Sequence, residues 1–488
     1  MTTMKRLSTY LLIALLSTGC KKYLAEEPRK QASVQTVAQL EALVDNATQF
    51  AYEPDFSTIL STDDNEITKE LYAASPSAFT TDNLQYYTFS VDGVENASSD
   101  ALWNGEYKKI FTANLILENI DAVTGDDSTR ERVRADAHFI RGYSYWVLVN
   151  HYAAPYSAAN LESPGVPLKK TTEYTESLKR ASLKETYDFI MADIVEAQKV
   201  TYDDVDPRRA WRVSKKSIAA FLSRYYLFTG DYDNAIQQAN LALATTTAKL
   251  VDFSTLQPGT PAYYTNPIDT LRYLDLNSWT PAKFLYWPES FYTRYTYYSS
   301  QWYNPSTALM NLYDQQHDLR FKGFFIHNGG RRMSVTYRGT TRYTFFYDGR
   351  YIPAGFTVAE VLLNKAEALA RKGDINGALG AANTLREKRI SPYTALTATS
   401  QPAALKAVLE ERRRELPFTM RWYDIRRFSV NDDPSDDVTV SRDFYTVSIT
   451  GVDMNTPHTY TLNNKRLLVP ISQKEIDVSK GQITQNTY

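Results

Sequence analysis

The sequence predicts a mainly α-helical protein, with a scaffold of tetratricopeptide-like helical hairpins, a large irregular, loop-rich ligand-binding portion and a few short strands. Two observations support this class. One helix–turn–helix pattern occurs twice, over Ser214–Ala244 and Ala359–Arg389. Residues 51–100 and 250–355 show little helical periodicity. Because more than a hundred residues separate the two copies, the hairpins form a spine with other material inserted between them, and a plain solenoid is not expected.

Each hairpin is marked by a Gly-Asp turn between helices with small facing residues. In the second copy, Gly373 supplies the left-handed residue that ends one helix, and Asp374 supplies the N-cap of the next. Gly230 and Asp231 take the same places in the first copy. The facing positions are Ala219, Leu222, Ala235, Ala239, Ala242, Leu362, Ala366, Ala378, Ala382 and Leu385. This pattern predicts close antiparallel helices like those of a tetratricopeptide repeat.

The N-terminus has the pattern of a bacterial lipoprotein signal. Residues 1–19 contain Lys5 and Arg6, a short apolar run and small residues before Cys20. The apolar run is too short to span a bilayer. Cys20 is predicted to be lipidated, although Ser17 stands where Leu is usual in a lipobox. The alternative is an ordinary secretory signal with a cysteine by chance. Residues 20–36 are polar and are interpreted as a tether.

A single domain is predicted over residues 37–488. Its helical scaffold covers about 37–50, 101–249 and 356–428, where apolar residues recur at three- and four-residue spacing. The separate helices are expected over Val37–Phe50, from Ala101, over Arg130–His151, over Leu183–Lys199 and over Gln401–Phe428. The irregular portion covers about 51–100 and 250–355. Residues 429–488 are expected to form short strands and loops, with Leu467–Ile471 the most strand-like segment.

Composition excludes several classes of function. A net charge of −2 gives no basic surface for nucleic acid. Five scattered histidines and one cysteine provide no zinc ligand set and no intrachain disulfide. An acidic run, Asn431–Asp437, holds Ca²⁺ weakly at best, since it lacks the Gly and distal Glu of an EF-hand loop. No metal or other cofactor is therefore predicted.

Several motifs, in a consistent order, are similar to those of one known family. They are Cys20 with Tyr23-Leu24 and Pro28; Trp103, Tyr107, Ile110 and Asn114; Ala135–Pro155; the two hairpins; Leu309–Arg320; Glu411–Arg427; and Val469–Ile476 with Gln485, Asn486 and Tyr488. Together they resemble the RagB/SusD family of Bacteroidetes outer-membrane lipoproteins. The departures are Asp136 for Glu, Gly142 for Ala, Ser472 for Pro, and a missing Glu-Gly before Arg421-Trp422.

The resemblance implies a fold, a location and a role. Members have four tetratricopeptide-like helix pairs as a scaffold and an irregular half that carries the ligand site. They are anchored to the outer membrane by lipid, facing the cell exterior, and lie as a lid on a SusC-like TonB-dependent transporter. They capture nutrients, usually oligosaccharides, and are not enzymes.

Aromatic residues in the irregular portion are the candidate ligand site. Sugar rings lie flat on Trp and Tyr and present polar edges that need hydrogen bonds. The predicted ligand-binding residues are Tyr86, Tyr87, Asn96, Trp279, Trp287, Tyr292, Tyr295 and Trp302. The alternative is that these rings attach the loops to the scaffold. That interpretation is slightly favoured for any single ring, whereas a ligand site is favoured for the cluster.

The charged residues of Glu411–Arg427 are predicted to form structural Arg–carboxylate pairs that attach the last repeat helix to the core. Anion capture is the alternative. A glycoside hydrolase would need two facing carboxylates. Asp63, Asp64, Glu66 and Glu289 are candidates, but the sequence does not place any two of them together.

The function predicted from the sequence is non-catalytic oligosaccharide capture for a TonB-dependent transporter. The alternatives are a tetratricopeptide-like protein-interaction scaffold and, third, a glycoside hydrolase.

Overall fold

The computed structural model describes residues 34–54, 57–90, 92–95, 100–256, 285–297, 303–326, 341–343 and 351–487. The predicted signal peptide, Cys20 and nearly all of the tether lie outside these residues, as do Asn96, Trp279 and Trp302. Within the described residues, helices predominate and the strands are few and mostly short. The predicted mainly α fold class is confirmed.

The described helices of eight or more residues all lie within the predicted scaffold segments, and several shorter ones lie in segments predicted to be irregular. In chain order they are α1 (Val37–Val44), α2 (Ala47–Phe50), α3 (Lys69–Ala74), α4 (Thr81–Tyr87), α5 (Asp92–Glu95), α6 (Ala101–Asn119), α7 (Asp127–Tyr152), α8 (Leu183–Ala197), α9 (Lys215–Phe228), α10 (Tyr232–Leu243), α11 (Thr307–Met310), α12 (Leu319–Gly323), α13 (Val358–Arg371), α14 (Ile375–Arg386), α15 (Gln401–Glu415), α16 (Arg421–Phe428) and α17 (Gln473–Val478). Among these helices, none combines the length and the apolar character that crossing a bilayer requires.

The strands pair mainly across the irregular portion. They are β1 (Tyr52–Pro54), β2 (Pro164–Pro167), β3 (Arg180–Ser182), β4 (Ser290–Tyr292), β5 (Tyr295–Tyr297), β6 (Phe325–Ile326), β7 (Arg342–Tyr343), β8 (Tyr351–Pro353), β9 (Phe356–Thr357), β10 (Ser441–Ser448) and β11 (Gly451–Thr461). One sheet has the order β1-β5-β8, and its β1–β5 pair is parallel. The early irregular segment is therefore joined to residues more than two hundred positions later.

Both predicted hairpins form, for the reasons the sequence suggested. Gly230 and Gly373 adopt positive φ angles of 80° and 86°. Asp231 and Asp374 then cap α10 and α14, accepting hydrogen bonds from backbone N–H groups at 3.1 and 2.8 Å. The alanines that face the partner helices are buried. Helix α13 also packs against α10, so the two hairpins are neighbours in space although they are distant in sequence.

Two predictions of local structure are wrong. The predicted helix over Val37–Phe50 is divided into α1 and α2, because Asp45 ends the first and Asn46 caps the second. The predicted strand at Leu467–Ile471 is absent; Asn464–Leu467 forms a 3₁₀ turn and the remainder is irregular. The extended C-terminal structure instead lies earlier, in the antiparallel hairpin of β10 and β11.

A network of buried and half-buried ion pairs, here called the arginine framework, joins α15 and α16 to the rest of the protein. Glu411 accepts hydrogen bonds from Arg320, Arg386 and Arg414 at 2.7, 2.9 and 2.6 Å. The other pairs include Arg412–Asp424, Arg413–Asp64, Arg421–Asp63, Arg427–Glu367 and Arg389–Glu415. This arrangement confirms the structural interpretation of the charge cluster and leaves these groups committed to each other.

Candidate functional site: a polar cleft between two irregular segments

A large cleft, called the seam cleft, lies where the two parts of the irregular portion meet. Its volume is about 680 Å³, within the usual range for ligand sites. Its lining comes from residues 63 and 65–70, Tyr87, residues 306–308 and residues 439–443. Most of these side chains are polar, so the cleft offers hydrogen-bonding groups rather than an apolar surface.

Backbone and side-chain hydrogen bonds join the two segments along one side of the cleft. The Glu66 N–H donates to the Asn304 carbonyl at 3.0 Å, and the Ser306 N–H donates to the Asp64 carbonyl at 2.7 Å. The Glu66 carboxylate accepts from the Thr307 N–H at 3.0 Å. The early loop and the later irregular segment are thus held as one unit, although they are about 240 residues apart.

Arg442 and Tyr87 hold another part of the cleft wall against the early loop. The Arg442 guanidinium lies 4.1 Å from the Tyr87 ring centroid and donates to the carbonyl oxygens of Leu60 and Tyr87. Burial lowers the pKa of Arg442 to about 10. The Tyr87 hydroxyl accepts from the Ile67 N–H at 2.9 Å and donates to the Ile67 carbonyl at 3.1 Å. These two side chains therefore support the cleft wall.

Three of the four acidic residues considered for a hydrolase form ion pairs, and the fourth, Glu66, accepts from Thr307 in the seam cleft. Burial acts to raise the pKa of Asp63, but Arg421 and Arg413 outweigh it and lower the pKa to about 2. Asp64 pairs with Arg413 at 2.6 Å, and burial raises its pKa. Glu289 pairs with Arg389 at 2.8 Å. These contacts give the three carboxylates structural roles rather than the paired acid and nucleophile of a glycosidase.

The structure corrects the site prediction for four aromatic residues. Tyr87, Trp287, Tyr292 and Tyr295 are 2%, 6%, 1% and 4% exposed. Tyr292 packs on Phe139, with ring centroids 4.8 Å apart, and burial raises its pKa to about 12. Because both faces of a buried ring are already covered by protein, these rings are not exposed platforms for a sugar. Tyr292 attaches its strand to α7 of the scaffold, as the alternative interpretation held, whereas Tyr87 packs on Phe444 and Tyr295 on Tyr52.

Of the predicted site residues that the structure describes, Tyr86 is the one that remains partly exposed. It is half-buried on α4, next to Tyr87. It lines a small cavity of about 20 Å³ together with Phe89, Ser90, Val94 and Trp422. The predictions for Asn96, Trp279 and Trp302 fall outside the described residues. The structure therefore brings Tyr86 and Tyr87 to one helix but places Trp287, Tyr292 and Tyr295 in the core.

A second large cleft, of about 640 Å³, lies at the ends of the hairpin helices. Arg371 and Arg427 line it, but Arg371 pairs with Asp436 at 2.5 Å and Arg427 pairs with Glu367. Its acidic edge includes Asp432 and Asp433. Among the described residues, no group of His, Cys, Asp and Glu side chains is placed to hold a metal ion.

Sequence reasoning missed two buried side chains at the seam, Asn65 and Asn304. Their amide nitrogen and oxygen atoms make no hydrogen bond. A single sequence gives no sign of this, because it does not show which asparagines are buried and unpaired.

Comparison with known proteins agrees with the family predicted from the motifs. A sequence model described as "Starch-binding associating with outer membrane" matches residues 22–227. Another, described as "SusD family", matches residues 291–488. Since both describe SusD-like proteins and together they take in most of the chain, this protein belongs to the SusD family.

Individual relatives are more distant. A SusD-like protein P2 from Formosa agariphila is 25% identical over 401 residues, which cover 70% of this chain and 74% of the relative. A SusD superfamily protein from Bacteroides thetaiotaomicron is similar in structure with a TM-score of 0.65 and 18% identity, covering 93% of this chain and all of that one.

Two further structural relatives are described by what they bind. A SusD-like carbohydrate binding protein from Bacteroides vulgatus has a TM-score of 0.62 and 18% identity, covering 92% of this chain and 97% of that one. Surface glycan-binding protein A from Bacteroides uniformis has a TM-score of 0.64 and 16% identity, covering 92% and 99%. At these identities, the structural similarity supports the fold alone.

Proposed function

We propose that this protein is a non-catalytic, cell-surface glycan-binding lipoprotein that captures oligosaccharides and delivers them to a TonB-dependent outer-membrane transporter. The observation that carries the proposal is that both parts of the chain match the SusD family. Structural relatives described as carbohydrate- or glycan-binding proteins support the ligand class.

The seam cleft is the proposed place of binding. Oligosaccharides carry many hydroxyl groups, and a cleft lined by hydroxyl, amide and charged side chains can pair with them. Tyr86 is proposed to supply a stacking face at the adjacent edge of the irregular portion, since one ring face against a sugar adds apolar contact to the polar ones. The ion-paired scaffold would hold both in position.

The ligand class is tested on the full lipoprotein, purified from outer membranes in mild detergent. A glycan array that covers neutral, acidic and amino oligosaccharides, starting with maltoheptaose, is followed by calorimetry on each ligand found. We expect saturable binding without cleavage of the oligosaccharide. Release of shorter products would support a hydrolase, and binding to no glycan would contradict the ligand class.

The transport partner is tested by affinity purification of the tagged lipoprotein from its own cells. We expect a large TonB-dependent barrel to co-purify, and a Cys20→Ser variant to be absent from the membrane fraction. Protease treatment of intact cells should digest the protein if it faces the exterior. Recovery of the lipoprotein without any partner, or with only a soluble partner, would instead support the protein-interaction scaffold.

A further inference from the structure

Two buried asparagines at the seam have unpaired amides. Asn65 is 2% exposed and Asn304 is 4% exposed, and neither the amide nitrogen nor the amide oxygen of either residue has a hydrogen-bond partner. Among the described residues, no other buried asparagine or glutamine lacks partners for both atoms. Asn364, by contrast, accepts from Arg412 at 2.8 Å and donates to Ser223 at 3.1 Å.

The two asparagines lie directly across the junction between the segments. Asn65 pairs with Pro305 in an isolated antiparallel bridge. The next bond along, from the Glu66 N–H, ends on the carbonyl of Asn304 itself. Asn65 lines the seam cleft, and the rim above it includes the exposed Thr68 and Thr307. Asn304 is not among the residues that line the cleft, and because both side chains are buried, a ligand reaches their amides only if lining residues move.

Unpaired buried amides are unfavourable for folding, because each amide has lost its water without gaining a protein partner. Most such groups in proteins are paired with protein, ordered water or ligand. An amide presents a donor and an acceptor side by side, which matches two neighbouring hydroxyl groups of a sugar ring. A ligand that pairs with these amides displaces no protein partner of theirs, so part of the hydrogen-bond gain remains after the ligand has lost its water and Thr307 has moved from Glu66.

We propose that the buried amides of Asn65 and Asn304 recognise the ligand of the seam cleft, each pairing with sugar hydroxyl groups when an oligosaccharide binds and the rim opens. This inference rests on the proposed glycan-binding function and extends it to the residues that determine specificity. It predicts a ligand with adjacent free hydroxyl groups at the bound unit, and poor binding of the same unit when those hydroxyls are methylated.

The test compares Asn65→Leu, Asn304→Leu and the matched control Asn364→Leu with the wild-type full lipoprotein. Affinity is measured by calorimetry with maltoheptaose, cellohexaose, xylohexaose and mannohexaose, and thermal stability by the unfolding midpoint. Both seam variants should bind the wild-type ligand at least about tenfold more weakly than the wild type does. Their unfolding midpoints should be unchanged or raised, because an unpaired polar group is removed. Asn364→Leu should show a lowered midpoint and unchanged affinity.

Each outcome separates this inference from the proposed function. If the wild type binds none of the four oligosaccharides or any array glycan, the proposed function fails and the inference fails with it. If the wild type binds and both seam variants bind equally well, the two amides do not contact the ligand. Only the inference then fails. If the seam variants lose stability as Asn364→Leu does, the role is structural. For a seam variant that does not fold, Asn→Ala at the same position replaces it in both measurements.

Discussion

The arginine framework and the seam cleft both contain buried polar side chains, but the two regions differ in how many of these side chains have hydrogen-bond partners. In the framework, the Glu411 carboxylate accepts from three guanidinium groups. At the seam, Asn65 and Asn304 remain unpaired. A network in which most groups are paired fixes the positions of the helices, whereas a side chain with no partner leaves hydrogen-bonding capacity for a ligand. The number of partners, rather than polarity or burial, distinguishes the framework from the candidate site.

The largest effect is expected when Glu411, the carboxylate at the centre of the arginine framework, is removed. Glu411→Ala removes the shared partner of three guanidinium groups, of which those of Arg320 and Arg414 are buried. We expect a loss of about 3–5 kcal/mol in the free energy of unfolding, because uncompensated buried charge is costly. Chemical denaturation followed by circular dichroism measures this change.

The neighbouring carboxylate provides the control. Glu410 is partly exposed and lies 3.4 Å from Arg414. Glu410→Gln should change the free energy of unfolding by less than about 1 kcal/mol. Equal effects of the two substitutions would show that the framework does not stabilise the fold as described.

A second prediction concerns the free energy of unfolding at low pH. Asp63 has a pKa of about 2 in the folded protein, below its ordinary value of 3.8. Because the folded-state pKa is lowered, the stabilisation is complete above the ordinary pKa and is lost as the pH falls towards 2. We expect a loss of about 2 kcal/mol attributable to this group. Unfolding free energies between pH 7 and pH 2.5 measure it.

The comparison variant is Asp63→Asn, which has no carboxylate to protonate at this position. Its stability should be lower at pH 7 and should fall less steeply with acid than that of the wild type. Parallel pH profiles for the two proteins would contradict the assigned role of the Asp63–Arg421 pair.

The third prediction sharpens the distinction between exposed and buried rings. Tyr86→Ala should weaken glycan binding about tenfold, which is about 1.4 kcal/mol, through loss of a stacking face. Trp287→Phe should leave affinity unchanged, since Trp287 is in the core. Calorimetry with the ligand found on the array measures both. A larger effect of Trp287→Phe would restore Trp287 to the site.

The smallest expected effects concern two glycines of the scaffold. A methyl group added at Gly230 or at Gly380 meets no atom within 4 Å, so only backbone conformation differs between them. Gly380→Ala, within α14, should stabilise by up to about 1 kcal/mol. Gly230→Ala should destabilise by about 1 kcal/mol, because Gly230 has a φ of 80°. Thermal unfolding of both variants checks the signs, and the same sign for both would contradict this account.

The scaffold was predictable from sequence because its signals are local. The turn at Gly373-Asp374 and the buried alanines after it show themselves within one short segment. The arginine framework was predictable in kind, since alternating charges favour pairing, but not in its partners: Arg320 and Glu411 are 91 residues apart.

The candidate site was far less predictable, because exposure is decided by long-range contacts. Tyr86 and Tyr87 are adjacent, yet Tyr87 is buried against Arg442 and Phe444, whereas Tyr86 keeps partial exposure. Similarly, Tyr292 is buried because α7 supplies Phe139 and Tyr143 from 150 residues earlier. Aromatic composition correctly marked the irregular portion as unusual but did not separate rings of the core from rings of the surface.

The direct packing of α10 on α13 has a consequence for how such proteins diversify. The spine therefore fixes the two ends of the chain between the hairpins, while that chain contributes core residues such as Tyr292 and framework residues such as Arg320. Doubling the length of such an insert costs only about 0.6 kcal/mol in closure entropy. New binding specificities can therefore arise by lengthening or exchanging loops of this insert, and chimaeras that keep Tyr292, Glu289 and Arg320 while exchanging the loops between them are a direct route to them.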